Sequence, residues 1–139
     1  MGFGPRGSFK GVVPVPVVYD YIYAAGATTK KVRKILKSDM STVLDSANYG
    51  GVIYALTQDL THIYAAGANT KKVRKILKSD MSTIQDSASY GGEIRALTQD
   101  ETYIYAGGTI LWKVRKILKA DMSTVQDSAN YGGEICALT

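Results

Sequence analysis

One cysteine, one histidine, one tryptophan and three prolines are all that 139 residues contain of those types. A lone Cys136 excludes an intrachain disulfide, so nothing supports a fold built on a disulfide framework. With His62 the only histidine and no zinc-type spacing of Cys and His, a histidine triad and a structural zinc site have no residues to form from. No metal and no cofactor are expected. No apolar stretch approaches the ~20 residues of a spanning helix, so no membrane segment is expected. The N-terminal "MGFGPRGSFKGVVPVPVV" sets two basic residues before an apolar run, but Pro14 and Pro16 interrupt that run and it is short for a signal-peptide core.

Charge is present without being concentrated. The net +5 divides into +2 on residues 1–18, +1 on 19–59, +2 on 60–100 and zero on 101–139. Carboxylates follow each basic run, which weakens a purely electrostatic account of function.

What the sequence does have is a repeat. Ile22, Ile63 and Ile104 head the same phrase at intervals of 41 residues, giving repeats 19–59, 60–100 and 101–139 behind an N-terminal arm, 1–18. Each copy reads as four short segments separated by turn signals: "YIYAAG", "KKVRKILK", "STVLDSA" running into "NYGG", and "VIYALTQD". One copy alone cannot bury its apolar positions, so stacking of neighbours is implied.

The second segment decides the fold class. Val32, Ile35, Leu36 and Met40 fall at helical spacing and Thr29 could cap a helix, which is the competing reading. Yet the segment is short and lies between a Gly-ended strand and a Ser-Asp turn. A strand covered on both faces need not alternate, and Val32 and Ile35 would then serve opposite faces. The expectation is all-β, with four strands per copy, the arithmetic of a propeller blade.

The phrases "YIYAGG", "KVRKI", "DMSTV" and "YGGEIRALT" resemble blades of the broad β-propeller class, which includes WD40-like, YVTN-type and quinoprotein-like repeats. The resemblance covers residues 19–139 and implies a half propeller of three four-stranded blades. There is no Trp-Asp dipeptide or Gly-His pair, so no subfamily's functional residues transfer to this chain.

Propellers close with four to eight blades, and an open arc of three exposes its end faces. Two chains joined head to tail would make a six-bladed homodimer. The segment Glu134–Thr139 copies 52–57 and 93–98, and its place is the innermost strand of a following blade. The expected interface therefore pairs Glu134, Ile135, Ala137 and Leu138 with Tyr21, Ile22 and Tyr23 of a second chain, a strand-addition closure. Val12–Val18 is the rival for that position, despite Pro14 and Pro16. Trp112 lies in "TILW", where the other copies read "ATTK" and "ANTK"; it is expected to meet the partner chain's arm or an external ligand.

Few residues invite chemistry. His62 and Cys136 each stand where the sister copies carry other residues, so no catalytic residue is assigned. Asp45, Asp86 and Asp127 recur before "YGG", and Tyr49, Tyr90 and Tyr131 recur within it. Carboxylate rings or sugar-stacking shelves could follow, set against turn-capping aspartates and edge-covering tyrosines. Lys30, Lys31, Arg33, Lys34 and Lys37, repeated around a ring, could form a belt for polyanions or nucleic acid, set against the favoured reading of a solvated outer face that discourages edge pairing. The expected function is a non-enzymatic, multivalent binding or scaffold module for glycans or polyanions; a hydrolase or lyase sited in the channel is the alternative from another class.

Overall fold

The structure, a computed structural model, describes residues 20–139. The N-terminal arm, including the rival strand Val12–Val18, lies outside them. Among the described residues there is no helix; eleven strands form three antiparallel sheets. The first sheet contains β1 (Tyr21–Ala25), β2 (Val32–Leu36) and β3 (Thr42–Asp45). In the second are β4 (Ile53–Gln58), β5 (His62–Gly67), β6 (Val73–Leu77) and β7 (Thr83–Asp86). The third holds β8 (Ile94–Gln99), β9 (Tyr103–Gly108), β10 (Arg115–Leu118) and β11 (Thr124–Asp127).

"KKVRKILK" is a strand in each of the first two copies, and its apolar residues do face opposite ways. Val73 enters the cluster shared with the third sheet, while Ile76 enters the cluster shared with the first. Tyr64 and Ala66 of β5 likewise face forward, and Ile63 and Ala65 face back. The core is therefore two seams, one between each pair of neighbouring sheets, with the central sheet buried on both sides.

Turn chemistry sets the strand lengths. The Asp39 carboxylate accepts the Ser41 amide at 2.9 Å, and Asp80 and Asp121 do the same for Ser82 and Ser123. This lets Met40, Met81 and Met122 take φ of about +60° in the turn. Met81 and Met122 drop their side chains into the seam with the preceding sheet, at 2% and 1% exposure.

The phase of sheets and repeats differs by one strand. β4 belongs to the first repeat by sequence but pairs with β5 of the second, and β8 stands in the same relation to β9. Consequently β1 pairs only with β2 among the described residues, and the first sheet has three strands where the others have four. The corresponding tail, 134–139, is in no strand.

Candidate functional site

The edge of β1, unpaired on one side among the described residues, is the most distinctive feature. β1 presents the edge that β5 and β9 give to β4 and β8. A groove of about 440 Å³ runs there between Tyr21, Ile22 and Tyr23 on one side and Leu56, Thr57 and Gln58 on the other. A second hollow, about 340 Å³, continues it past Ala24 and Ala25 toward Ile53 and Tyr54. Between them the two hollows follow β1 from Tyr21 to Ala25, facing β4.

Glycines mark what fits in it. A Cβ at Gly67 would stand 1.9 Å from the Val52 carbonyl oxygen, and one at Gly108 equally 1.9 Å from that of Glu93. Only glycine admits the crossing backbone there. Gly26 holds the same position just after β1, yet a Cβ added to it would meet nothing within 4 Å among the described residues. Gly133 is the matching case on the tail: the equivalent Cβ at Gly51 or Gly92 would sit 2.3 or 2.1 Å from a backbone oxygen, whereas at Gly133 it meets no described residue within 4 Å.

The tail leaves the third sheet already placed. The Ile135 amide donates to the Gly108 carbonyl at 3.1 Å, as the Ile53 amide does to Gly26 at 3.3 Å, and Ile135 is buried. Gly107 replaces the alanine of the other copies, and Ile135 Cγ2 lies 2.6 Å from where a Cβ would be.

The repeated tyrosines lie in the seams. Tyr49 and Tyr90 are each 2% exposed and offer no ring face for a sugar to stack on. The Tyr49 hydroxyl donates to the Lys72 carbonyl and accepts the Gly67 amide at 3.1 Å, and Tyr90 makes the same bond to the Lys113 carbonyl. Tyr131, with no following sheet, is 74% exposed.

Asp45, Asp86 and Asp127 each bind an arginine bidentately across the outer strand pair, the Arg Nε to Oδ1 distance being 2.8 Å in all three. Hydrogen bonding to Arg33 and Arg115 holds the Asp45 and Asp127 carboxyls below the usual range. Carboxylates so neutralised are poorly placed to take up a cation or to act as acid and base. Among the described residues no group of three or more His, Cys, Asp or Glu gathers around a possible metal.

Much of the basic run is likewise engaged. Lys34 Nζ reaches the Lys78 carbonyl of the next sheet at 2.7 Å, and Lys75 Nζ the Lys119 carbonyl at 2.7 Å. Arg74 Nη1 donates to the Asn48 carbonyl and Arg115 Nη1 to that of Ser89, both at 2.9 Å. These are bonds from sheet to sheet. Sequence reasoning treated the lysines as a solvated face or an anion belt; the available signal was their invariance between two apolar strand positions.

Asp59 is the most perturbed acid. Burial alone would raise its pKa, but the amides of His62 and Thr61, the Tyr64 hydroxyl at 2.8 Å and Lys119 Nζ at 3.2 Å outweigh that and hold it well below the usual carboxylate range. Because the folded-state value is the lower one, its contribution is present above the unfolded value of ~3.9 and is lost as pH falls toward the folded one. Asp59→Asn is thus expected to flatten the acid limb of a stability-versus-pH curve between about pH 4 and pH 2. An unchanged acid limb in urea melts would refute this assignment.

His62 Nδ1 lies 2.8 Å from Thr61 Oγ1, in the same turn, and Cys136 is exposed. In the divergent loop Leu111 turns into the core, while Ile110 (63% exposed) and Trp112 (39%) face outward at φ of 71° and 51°.

No family model and no curated protein matches the chain. Among solved structures it is similar to the computationally designed Ika8 protein, with a TM-score of 0.75 and 13% identity over 89% of this chain and 38% of that one. The designed Ika4 protein gives 0.75 and 13% over 88% and 75%. The RRP9 WD40 repeats give 0.75 and 11% over 85% and 38%. The fold is an all-β, propeller-like repeat array. The chain spans well under half the length of Ika8 and of the RRP9 domain.

Proposed function

We propose that the chain is a non-enzymatic binding scaffold whose working part is the slot along β1, which takes an extended strand by main-chain pairing. The observation that carries this is the edge of β1: β5 and β9 fill the same edge with β4 and β8, and β1 keeps the same glycine at its end. The paired aspartates, the buried tyrosines and the single histidine in a turn support a scaffold over a hydrolase or lyase. Of the ligand classes raised by the sequence, a glycan loses the two seam tyrosines, whereas a polyanion keeps the half-exposed Lys30, Lys31, Lys71 and Lys72.

Hydrogen exchange tests the slot directly. In the native protein the amides of β1 should be protected to the level of β5 and β9. Gly26→Ala, whose methyl meets nothing within 4 Å among the described residues, should lower that protection by roughly a hundredfold or more while leaving β5 and β9 unchanged. Unprotected β1 amides in the native protein would overturn the reading.

A further inference from the structure

The two end faces of the array are the two halves of one interior seam. On the leading face Ile22 is 40% and Met40 62% exposed, while their counterparts Ile63, Met81, Ile104 and Met122 lie between 0% and 2%. On the trailing face Tyr131 is the exposed counterpart of Tyr49 and Tyr90.

Each interior bond has its donor at one end and its acceptor at the other, 41 residues apart in register. Lys34 to Lys78 and Lys75 to Lys119 continue as Lys116 to the carbonyl of Lys37. Tyr49 to Lys72 and Tyr90 to Lys113 continue as Tyr131 to Lys31. The contacts of Arg74 with Asn48 and of Arg115 with Ser89 continue as Arg33 with Asn130. Asp59 with Lys119 continues as Asp100 with Lys37. Within one chain the two halves lie at opposite ends and do not meet.

Resting on the strand-accepting reading above, we infer that the slot is filled by residues 134–139 of a second copy, and that the second copy's leading face closes on Tyr131, Lys116 and Asp100 of the first. The register follows from β4–β5 and β8–β9: Ile135 opposite Gly26, Ala137 opposite Ala25, Leu138 opposite Ala24, Thr139 opposite Tyr23. Twofold repetition of this junction gives two chains and six sheets. The tail is favoured over the chain's own arm because it repeats the Ile-x-Ala-Leu-Thr of β4 and β8, whereas by register the arm puts Pro14 and Pro16, which have no amide to donate, at the positions of Ala55 and Thr57 in β4.

The junction creates a neighbour pair that one chain cannot make. Tyr54 and Arg95 are the bulged residues of adjacent innermost strands, and the Arg95 guanidinium stacks on the Tyr54 ring at 4.4 Å. In the closed ring Cys136 stands next to Tyr54 of the second copy in the same relation. In its own chain it is two innermost strands away.

The experiment uses the full-length chain carrying Tyr54→Cys. A short bis-maleimide should convert most of it to covalent dimer on a denaturing gel. Tyr54→Cys with Cys136→Ser should give under a tenth of that. Light scattering of the native protein should give twice the 15.0 kDa chain mass. Gly133→Ala, open in the single chain, should shift the mass to one chain. A one-chain mass and no cross-link, with β1 still protected from exchange, would overturn the second copy as occupant and leave the strand-accepting reading standing. A three-chain mass would overturn the six-sheet ring.

Discussion

Gly67→Ala is expected to destabilise the protein by about 3 kcal/mol or more and to lower the melting temperature by roughly 10 °C. The added methyl has no direction in which to yield. Its neighbours at 1.9 and 2.9 Å are the Val52 oxygen and the Ile53 Cα, which are backbone of the strand that pairs with Gly67. Relief requires β4 to leave β5, and β4 also carries Ile53 and Leu56 into the first seam. Gly26→Ala meets no described residue within 4 Å, so it lacks that clash within one chain and should cost less than Gly67→Ala. Calorimetry on the two variants makes the comparison, and a Gly67→Ala melt within about 2 °C of the parent would refute the close-approach argument.

Tyr90→Ala should cost about 3–5 kcal/mol, by loss of a large buried ring and the cavity it leaves. Tyr90 is among the largest fully covered side chains of the second seam, packed with Val73, Ile94 and Ile117. Its hydroxyl also satisfies the Lys113 carbonyl, so Tyr90→Phe should cost about 1–2 kcal/mol without a cavity. Denaturant melts of the pair separate ring from hydroxyl. If Tyr90→Ala proved no worse than Tyr90→Phe, the seam would not be packed as described.

Much of this fold was legible in the sequence, and the reasons are particular. The 41-residue period, the Gly-ended first strand and the Ser-Asp turns placed the eleven observed strands, while the twelfth expected segment, 134–139, is in no strand. The opposed faces of the second segment, seen in Val73 and Ile76, followed from asking what a doubly covered strand needs. The roles of the side chains were less legible. A tyrosine beside two glycines reads equally as a ligand shelf or a seam plug, and only the distance from its hydroxyl to a carbonyl of the next sheet separates them. Lysine at position 34 looks solvated in a one-dimensional pattern, because its bond partner is 44 residues away. The paired aspartates were ambiguous for the same reason: Arg33 and Asp45 face each other across strands, at a separation of 12 residues that no local motif records.

The one-strand offset between repeat and sheet has a bearing on how the array comes apart. Repeat proteins can lose their units one after another from an end, since each unit contacts only its neighbours. Here the second sheet holds a strand that the first repeat supplies, and the third holds one from the second. Peeling away a terminal unit pulls a strand out of its neighbour, so partial unzipping is penalised and the three units should melt as a single cooperative transition.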